Sequence, residues 1–588
     1  MTTAVARLQR ARAALERGDL FSAYDIATEQ AGTEQGVPDD GALAYVEVRA
    51  LAGMGDWENG LRRYAEAGLD RAGDDVDKLA LLGRLLKDAA YAAAPELRAA
   101  RFAQSCEAYA AIFAQTGEFY VAINAAATAM LSGDQERAAG FAEAALAGAS
   151  AAPHQDYWAA ATAAEALLIL GRMDEVSAEL DRAVTCEGAS VSARASTFRQ
   201  LSALMGKAGI GMDAVSLDPI RPPRTAHICG HMFAADEESE ARNAAQIADV
   251  LVQERVGAAY GALACGADIL FAEQCLVLGI EFHAVVPFDE EDFLDLSVRR
   301  GEGDWEERYR RCMARATRTY IASAMRYVDD EGQFAFASEV AMGLAKLRAT
   351  QMGGEAIQIA VWDGKLSTGL AGTGADVRRW LETGGRSIRL DPGPIRRAAG
   401  GTARTPAAER PSRAVRVLVF TDFKNFSKLP EPDMPRFWTE VMGRCAAVLQ
   451  SRLQHVACQN TWGDALYLAL DDVRAAAEAL VDLRDILGSS DFGSLGLPPG
   501  GGMRIAAHFG PVYELVDPVT GRTNYYGTEV SRAARVEPVT PPGQVYVTEP
   551  MAAAIELSCA DSFACRYVGR MTLPKDFGTE RIYRLERR

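Results

Sequence analysis

The chain has 588 residues, 49% of them hydrophobic and 24% charged, too many for one core and enough for three or four domains. With 80 acidic against 62 basic side chains, its net charge of −18 argues against a general nucleic-acid binder, while local cations and bound metal leave a nucleoside triphosphate open as a ligand. No apolar run approaches the roughly 20 residues of a membrane helix, the N-terminus lacks the apolar core of a signal peptide, and the ten cysteines form no CxxC pair. A cytoplasmic protein is the expectation, with no membrane partner, no disulfide framework and no zinc site.

Up to about Ser216 the sequence is rich in Ala and Leu, poor in β-branched runs and punctuated by short Gly-polar turns, which predicts consecutive helices. Turn signals at Arg17-Gly-Asp19, Met54-Gly-Asp56, Ser132-Gly-Asp134 and Leu170-Gly-Arg172 place glycines at 18, 55, 133 and 171. The gaps are 37, 78 (twice 39) and 38 residues, the period of two-helix solenoid repeats. Residues 1–216 resemble a degenerate tetratricopeptide array, an α-helical solenoid, and Leu82 to Gly133 is similar to the helical TRAF-binding region of some kinases. An ordinary helical bundle is the alternative. Such an array implies a protein partner or a regulatory ligand.

Pro219 to Pro223 marks a boundary, because its prolines remove donors and force extended backbone. Beyond it, residues 224–392 alternate strands and helices: Ala226 to Met232, a helix from Glu237 to Glu254, Ala258 to Leu263, a helix from Ile269 to Leu278, and strands at Glu281 to Pro287, Thr317 to Ala322 and Ile357 to Val361. This order predicts an α/β doubly wound, mostly parallel sheet. Gly230, His231, Gly261, Gly266 and Asp268 fall on loops at its C-terminal edge, a candidate ligand site. For Gly261 and Gly266 a tight turn without ligand is an equal alternative, and His231 and Glu273 suit core or capping roles better than catalysis. The segment from Gly261 to Phe288 resembles Rossmann-like sensor domains related to DNA-processing and cytokinin-activating proteins, which implies nucleotides or their derivatives as ligands. Residues 393–413, rich in Gly, Ala, Pro and Arg, are expected to be a flexible linker.

From 414 to 588 the predicted order is a strand around Val415 to Phe420, a helix from Met434 to Leu453, a strand pair around Trp462-Gly-Asp464, and a helix from Asp472 to Leu487. A Gly/Pro loop (488–502), strands Met503 to Phe509 and Val512 to Val516, a helix from Gly527 to Val536 and closing strands follow. Asp422 ends the first apolar strand, and Asp464 precedes the apolar run Ala465 to Leu470. Two carboxylates on neighbouring strand ends suit hard divalent cations, which prefer oxygen ligands; either aspartate alone reads as a cap or turn former.

In order, Phe420-Thr-Asp422-Phe-Lys-Asn-Phe-Ser427, Thr461-Trp-Gly-Asp464 and Gly527 to Pro538 resemble the motifs of a class III adenylate/guanylate cyclase homology domain, an α+β ferredoxin-like fold. The resemblance implies a multidomain nucleotidyl cyclase. Asp422, Asp464 and the backbone carbonyl of Phe423 would hold two Mg²⁺ or Mn²⁺ ions, and Arg535 would stabilise charge on the α-phosphoryl group. Lys575 aligns with a triphosphate-binding lysine; Ser531 stands where the family places asparagine. Asn460 and Asn524 occupy the base-reading positions, where adenylate enzymes carry lysine and aspartate and guanylate enzymes glutamate and cysteine. Because an amide both donates and accepts, the base stays open: ATP is the first expectation, and UTP or CTP, as in bacterial antiviral cyclases, the alternative. The family's site is shared between two cyclase domains, so one copy per chain implies a homodimer. Two other readings stand beside this one: a catalytically silent nucleotide-sensing or dimerisation module, and chemistry in the middle domain through Asp268 or Glu273.

Overall fold

The computed structural model describes residues 3–29, 41–71, 73, 75–211, 213–323, 325–365, 369–397, 412–488 and 502–588. The chain forms two compact units, residues 1–223 with 351–354, and residues 224–350 with 355–588. Among the described residues no helix is long and apolar enough to cross a membrane.

In the first unit, Thr3–Glu16 pairs with Leu20–Thr28, Ala42–Gly53 with Trp57–Glu66, Val76–Ala92 with Pro95–Thr116, Phe119–Ser132 with Gln135–Ala151, and Tyr157–Ile169 with Met173–Thr185; Val191–Ala208 follows. The turn glycines have a local cause. Gly18, Gly55, Gly133 and Gly171 take φ of 73°, 75°, 101° and 76°, the left-handed geometry that ends a helix without a Cβ penalty. The next residue then caps the following helix: Asp19, Asp56 and Asp134 accept from the N–H groups of Ser22, Asn59 and Arg137. The double gap between Gly55 and Gly133 is filled by a pair joined at Ala94-Pro95, where proline at the first helical position replaces the Gly-Asp signal. In Tyr157–Ile169 every residue from Ala159 to Leu168 is buried, which the Ala-rich sequence permits because small side chains let neighbouring helices approach closely.

In the second unit, strands β1 (Arg224–Gly230), β2 (Val256–Gly261), β3 (Glu281–Val286), β4 (Arg318–Ile321), β5 (Ala356–Val361) and β6 (Arg386–Leu390) form one sheet in the order β4-β3-β2-β1-β5-β6, every neighbouring pair parallel. Helices Trp305–Arg315, Gly332–Met352 and Thr373–Glu382 join those expected. Residues 393–397 lie along this layer: Arg397 bridges to Phe233, and Arg242 donates to the carbonyls of Pro392 and Pro394. Of the expected linker, Ser412 and Arg413 instead open a strand paired with Glu514 and Tyr513, and 398–411 lies outside the described residues, as does most of the Gly/Pro loop, 489–501.

The second sheet contains β7 (Ser412–Phe423), β8 (Val456–Trp462), β9 (Ala465–Leu470), β10 (Met503–Val516), β11 (Thr523–Tyr526), β12 (Val545–Thr548), β13 (Phe563–Thr572) and β14 (Thr579–Arg587). Its order is β13-β14-β12-β10-β7-β9-β8, with β11 paired to β10. The two strands expected at 503–516 are one, because Gly510 and Pro511 stay in register opposite Arg416 and Val415 of β7. The helix expected from Met434 to Leu453 is Met434–Phe437, a π-turn at Trp438–Met442, and Gly443–Gln450.

Candidate functional site

Antiparallel pairing of β7 with β9 and of β8 with β9 brings two distant sequence motifs to one sheet end. The β8–β9 connection is the two residues Gly463-Asp464 between paired Trp462 and Ala465, and Gly463 takes the positive φ (62°) that such short hairpin loops require. Asp464 is thereby carried to the end of β7, where its Oδ2 accepts the Phe423 N–H at 3.1 Å. Burial, and then the charge of Asp422, raise the Asp464 carboxyl above the usual range. The β7–β10 register sets Arg504 directly opposite Asp422, and its guanidinium donates to the Asp422 carboxylate. Arg504 Nε also lies 2.8 Å from Glu537 Oε1. Burial raises Glu537 to about 7; Arg504 opposes that shift, and Asp422 and Asp464 add to it.

Three carboxylates thus surround one guanidinium. Among the described residues no group of three or more His, Cys, Asp and Glu side chains is arranged as a metal cage. What exists is a two-aspartate platform open on one side, which fits a hard divalent cation that keeps water and shares substrate phosphates. Arg504 and Glu537 carry no role in the sequence reading. Arg504 reaches Asp422 only through strand register across 82 residues, and Glu537 hides in the end of a helix motif.

Asn460 and Asn524 also meet within the chain. Asn460 of β8 points its Nδ2 at Cys458 Sγ (3.8 Å), and Cys458 Sγ lies 3.5 Å from Oδ1 of Asn524 on β11. That oxygen accepts the Tyr525 N–H as well, at 2.9 Å. Helix Thr528–Val536 carries Ser531 and Arg535; the Arg535 guanidinium sits over the Phe577 ring at 5.9 Å, and its buried Nε has no hydrogen-bond partner. Lys575 is exposed in a turn where it and Asp576 both take φ of 59°. Among the described residues no hydrogen bond or ion pair joins Asp422 or Asp464 to Ser531, Arg535 or Lys575.

Arg532, on the same helix, is structural. It donates to Glu529 at 2.9 Å and to Glu580, and Glu529, 2% exposed, also pairs with His508 at 2.9 Å. Arg532→Met leaves two carboxylates short of a partner and is expected to destabilise the protein by about 2–4 kcal/mol in chemical denaturation.

In the α/β domain, a cavity of about 630 Å³ opens at the C-terminal ends of β1, β2, β3 and β5, where its walls include Gly230, His231, Asp268, Arg300 and Asp376. Gly261 and Gly266 lie outside its lining. A Cβ at Gly261 would stand 2.6 Å from the Ile228 carbonyl oxygen, and one at Gly266 (φ 94°) 2.7 Å from the Phe233 nitrogen, so both serve close chain packing. His231 Nε2 lies 3.1 Å from Asp363, itself paired with Arg397 at 2.6 Å. Glu273 is held by Arg308 at 2.7 Å. Burial raises Asp268 and Asp376 each to about 7. The sign follows: these carboxyls hold protons in the folded state that the unfolded chain releases above about pH 4, so stability falls as pH rises from about 4 to 7 and stays low above it. Asp376→Asn is expected to raise the melting temperature at pH 8, a gain that shrinks toward pH 5.

In the helical unit, cavities of about 530 and 450 Å³ share Arg49, Arg84 and Trp158. The second also contains Lys87, buried and donating to Asn124 (3.1 Å) and Gln200 (2.5 Å). Desolvation, and then Arg84, lower the Lys87 ammonium to about 8.

Residues 22–131 match the family model described as Tetratricopeptide Repeats-Sensor. No curated protein matches the chain. Among solved structures, the chain is similar to the guanylate cyclase domain of RhGC from Catenaria anguillulae in complex with GTP, at 18% identity over 30% of this chain and 99% of that one, with a TM-score of 0.26. It is also similar to the adenylyl cyclase CyaB from P. aeruginosa (14% identity, 30% and 96% covered, TM-score 0.27) and to adenylate cyclases from Trypanosoma brucei (21%, 29% and 89%, 0.25).

Proposed function

We propose that this protein is a nucleotidyl cyclase that converts a nucleoside triphosphate to a 3′,5′-cyclic nucleotide and pyrophosphate, with its C-terminal domain catalytic and its ferredoxin-like fold acting in pairs. The observation that carries this reading is the juxtaposition of Asp422 and Asp464 at one sheet end, charge-balanced by Arg504. Asp422, Asp464 and the Phe423 carbonyl would hold the Mg²⁺ or Mn²⁺ ions, which would supply Lewis acidity at the ribose 3′-hydroxyl and counter-charge for the pyrophosphate. Arg504, held by Asp422 and Glu537, offers its remaining N–H donors to a phosphate oxygen. Arg535 offers its unpartnered Nε to charge on the α-phosphoryl group, and Lys575 offers a flexible ammonium to the triphosphate. Ser531 keeps a hydroxyl donor but reaches less far than the family's asparagine, so modest turnover is expected.

Asn460 and Asn524 form the base pocket about Cys458. ATP is the first substrate assigned to it and UTP or CTP the second. Homodimerisation follows from the resemblance, which divides the site between two cyclase domains. It is also supported by exposed apolar side chains on the β8–β9 and β10–β11 hairpins: Trp462 at 61%, Val516 at 66% and Val519 at 91%. The helical repeats and the Rossmann-like middle domain then act as regulators, binding a partner or a small ligand. The decisive experiment offers ATP, GTP, CTP and UTP separately with Mn²⁺ and identifies products by chromatography and mass. One cyclic product is expected to dominate; none from any of the four would overturn the assignment.

A further inference from the structure

Edge strand β4 of the α/β sheet meets the catalytic domain at Arg318. Both arms of its guanidinium donate to Glu549, at 2.7 and 2.5 Å, and Glu549 is buried at the start of helix Glu549–Ser558. A carboxylate removed from water needs such partners. Tyr583 adds a hydroxyl donor at 3.4 Å, and Arg581 stands at 3.7 Å. The preceding residue, Thr548, occupies the N-cap position of that helix, yet its side chain makes no cap hydrogen bond. A threonine there ordinarily accepts a backbone N–H of the first turn. Here its hydroxyl is turned instead to Nδ1 of His508, at 2.8 Å. A local contact has been given up for a long-range one.

From His508 the contacts run on without a break. Its Nε2 lies 2.9 Å from Glu529, which also accepts from Arg532 at 2.9 Å, and Arg532 reaches across to Glu580 on β14. His508, Thr548, Glu529 and Glu549 are each at most 3% exposed, so a lost member would leave its neighbour unpaired and out of reach of bulk water. Burial by itself would raise the Glu529 carboxyl; His508, and then Arg532, hold it below the usual range. The junction is closely packed: a Cβ on Gly510 would stand 2.7 Å from His508 Nε2 and 3.0 Å from Glu529 Cγ. Glu529 and Arg532 belong to helix Thr528–Val536, which also carries Ser531 and Arg535. Pinned at two positions three residues apart, nearly one turn, this helix can neither slide nor roll without breaking a buried contact.

We propose that Arg318 of the α/β domain is a positioning residue for the reaction of the catalytic domain: through Glu549, Thr548, His508 and Glu529 it sets the height and rotation of the helix that presents Arg535. Its effect on turnover rests on the cyclase reading above; its effect on the helix does not. Full-length protein and its variants are assayed with Mn²⁺ and whichever triphosphate the native chain cyclises, and hydrogen exchange is followed over 528–536, with strand 465–470 as reference. Thr548→Val keeps the shape and drops the hydroxyl. It is expected to lower kcat about tenfold with KM within about twofold, because the metal platform and the base pocket lie off this route. Thr548→Ser, which keeps the hydroxyl, is expected to restore most of the rate. Arg318→Ala would leave Glu549 charged, buried and short of a partner, so Arg318→Met joined to Glu549→Gln makes the same comparison with neither charge present. Exchange in 528–536 is expected to quicken by about threefold or more in Thr548→Val and in the double variant, with 465–470 unchanged. Native kcat or native protection of 528–536 in either folded variant overturns the positioning role, as does a fall in Thr548→Ser as deep as in Thr548→Val. No cyclic product from the native chain would remove the cyclase reading and leave the exchange comparison to decide whether the helix is held from β4.

Discussion

Asp422→Ala is expected to lower cyclic-nucleotide formation by about 10³-fold or more, with the fold intact by circular dichroism. The substitution removes one of two carboxylates of the metal platform and leaves Arg504, now without its Asp422 partner, as a cation where a divalent ion should sit. Two effects of the same sign add: fewer oxygen ligands, and like-charge repulsion of the incoming metal. Asp464→Asn should act in the same direction while preserving the amide contact to Phe423. Product formation measured at saturating Mn²⁺ decides the matter, and turnover by Asp422→Ala equal to that of the native chain would remove these residues from the mechanism.

Arg535→Ala is expected to reduce kcat by about 10²–10³-fold, with little change in stability. Its guanidinium rests on the Phe577 ring and among the described residues pairs with no acid, so truncation removes its charge without breaking an ion pair. The stronger form of the prediction mixes the two inactive variants. If one protomer supplies Asp422 and the other Arg535, half of the random dimers carry one intact site of two. Activity then returns to about a quarter of the native level. A mixture as inactive as its components would place the whole site in one chain and contradict the shared arrangement.

Local signals in the sequence were strong where backbone chemistry is local. Gly-Asp turns announced helix ends because a left-handed glycine and an aspartate cap act within four residues, and the pair lacking them was legible only as a doubled spacing because Pro95 does the same work differently. The parallel strands β1, β2, β3 and β5 were legible as short apolar runs; β6, with the sequence Arg386-Ser-Ile-Arg-Leu390, was not, since an edge strand need not be apolar. Gly510-Pro511 read as a break yet continues β10, because pairing with β7 outweighs the residues' own preference. The aspartates and the asparagine pair could be named from motif order. Arg504, Glu537 and the role of Arg532 could not, because each depends on register or packing between segments tens of residues apart.

Arg504, clasped between Asp422 and Glu537, has a consequence for how the protein lives without metal. A bare cluster of three carboxylates in a chain of net charge −18 would strain the fold and make it depend on divalent cations to hold together. The guanidinium serves as a built-in counter-charge that offsets part of this repulsion, and the raised Asp464 and Glu537 carboxyls are what it leaves unbalanced. Chelation should therefore silence the protein while leaving its melting temperature nearly untouched. A divalent ion held by Asp422 would have to displace the Arg504 contact, which would lower its affinity.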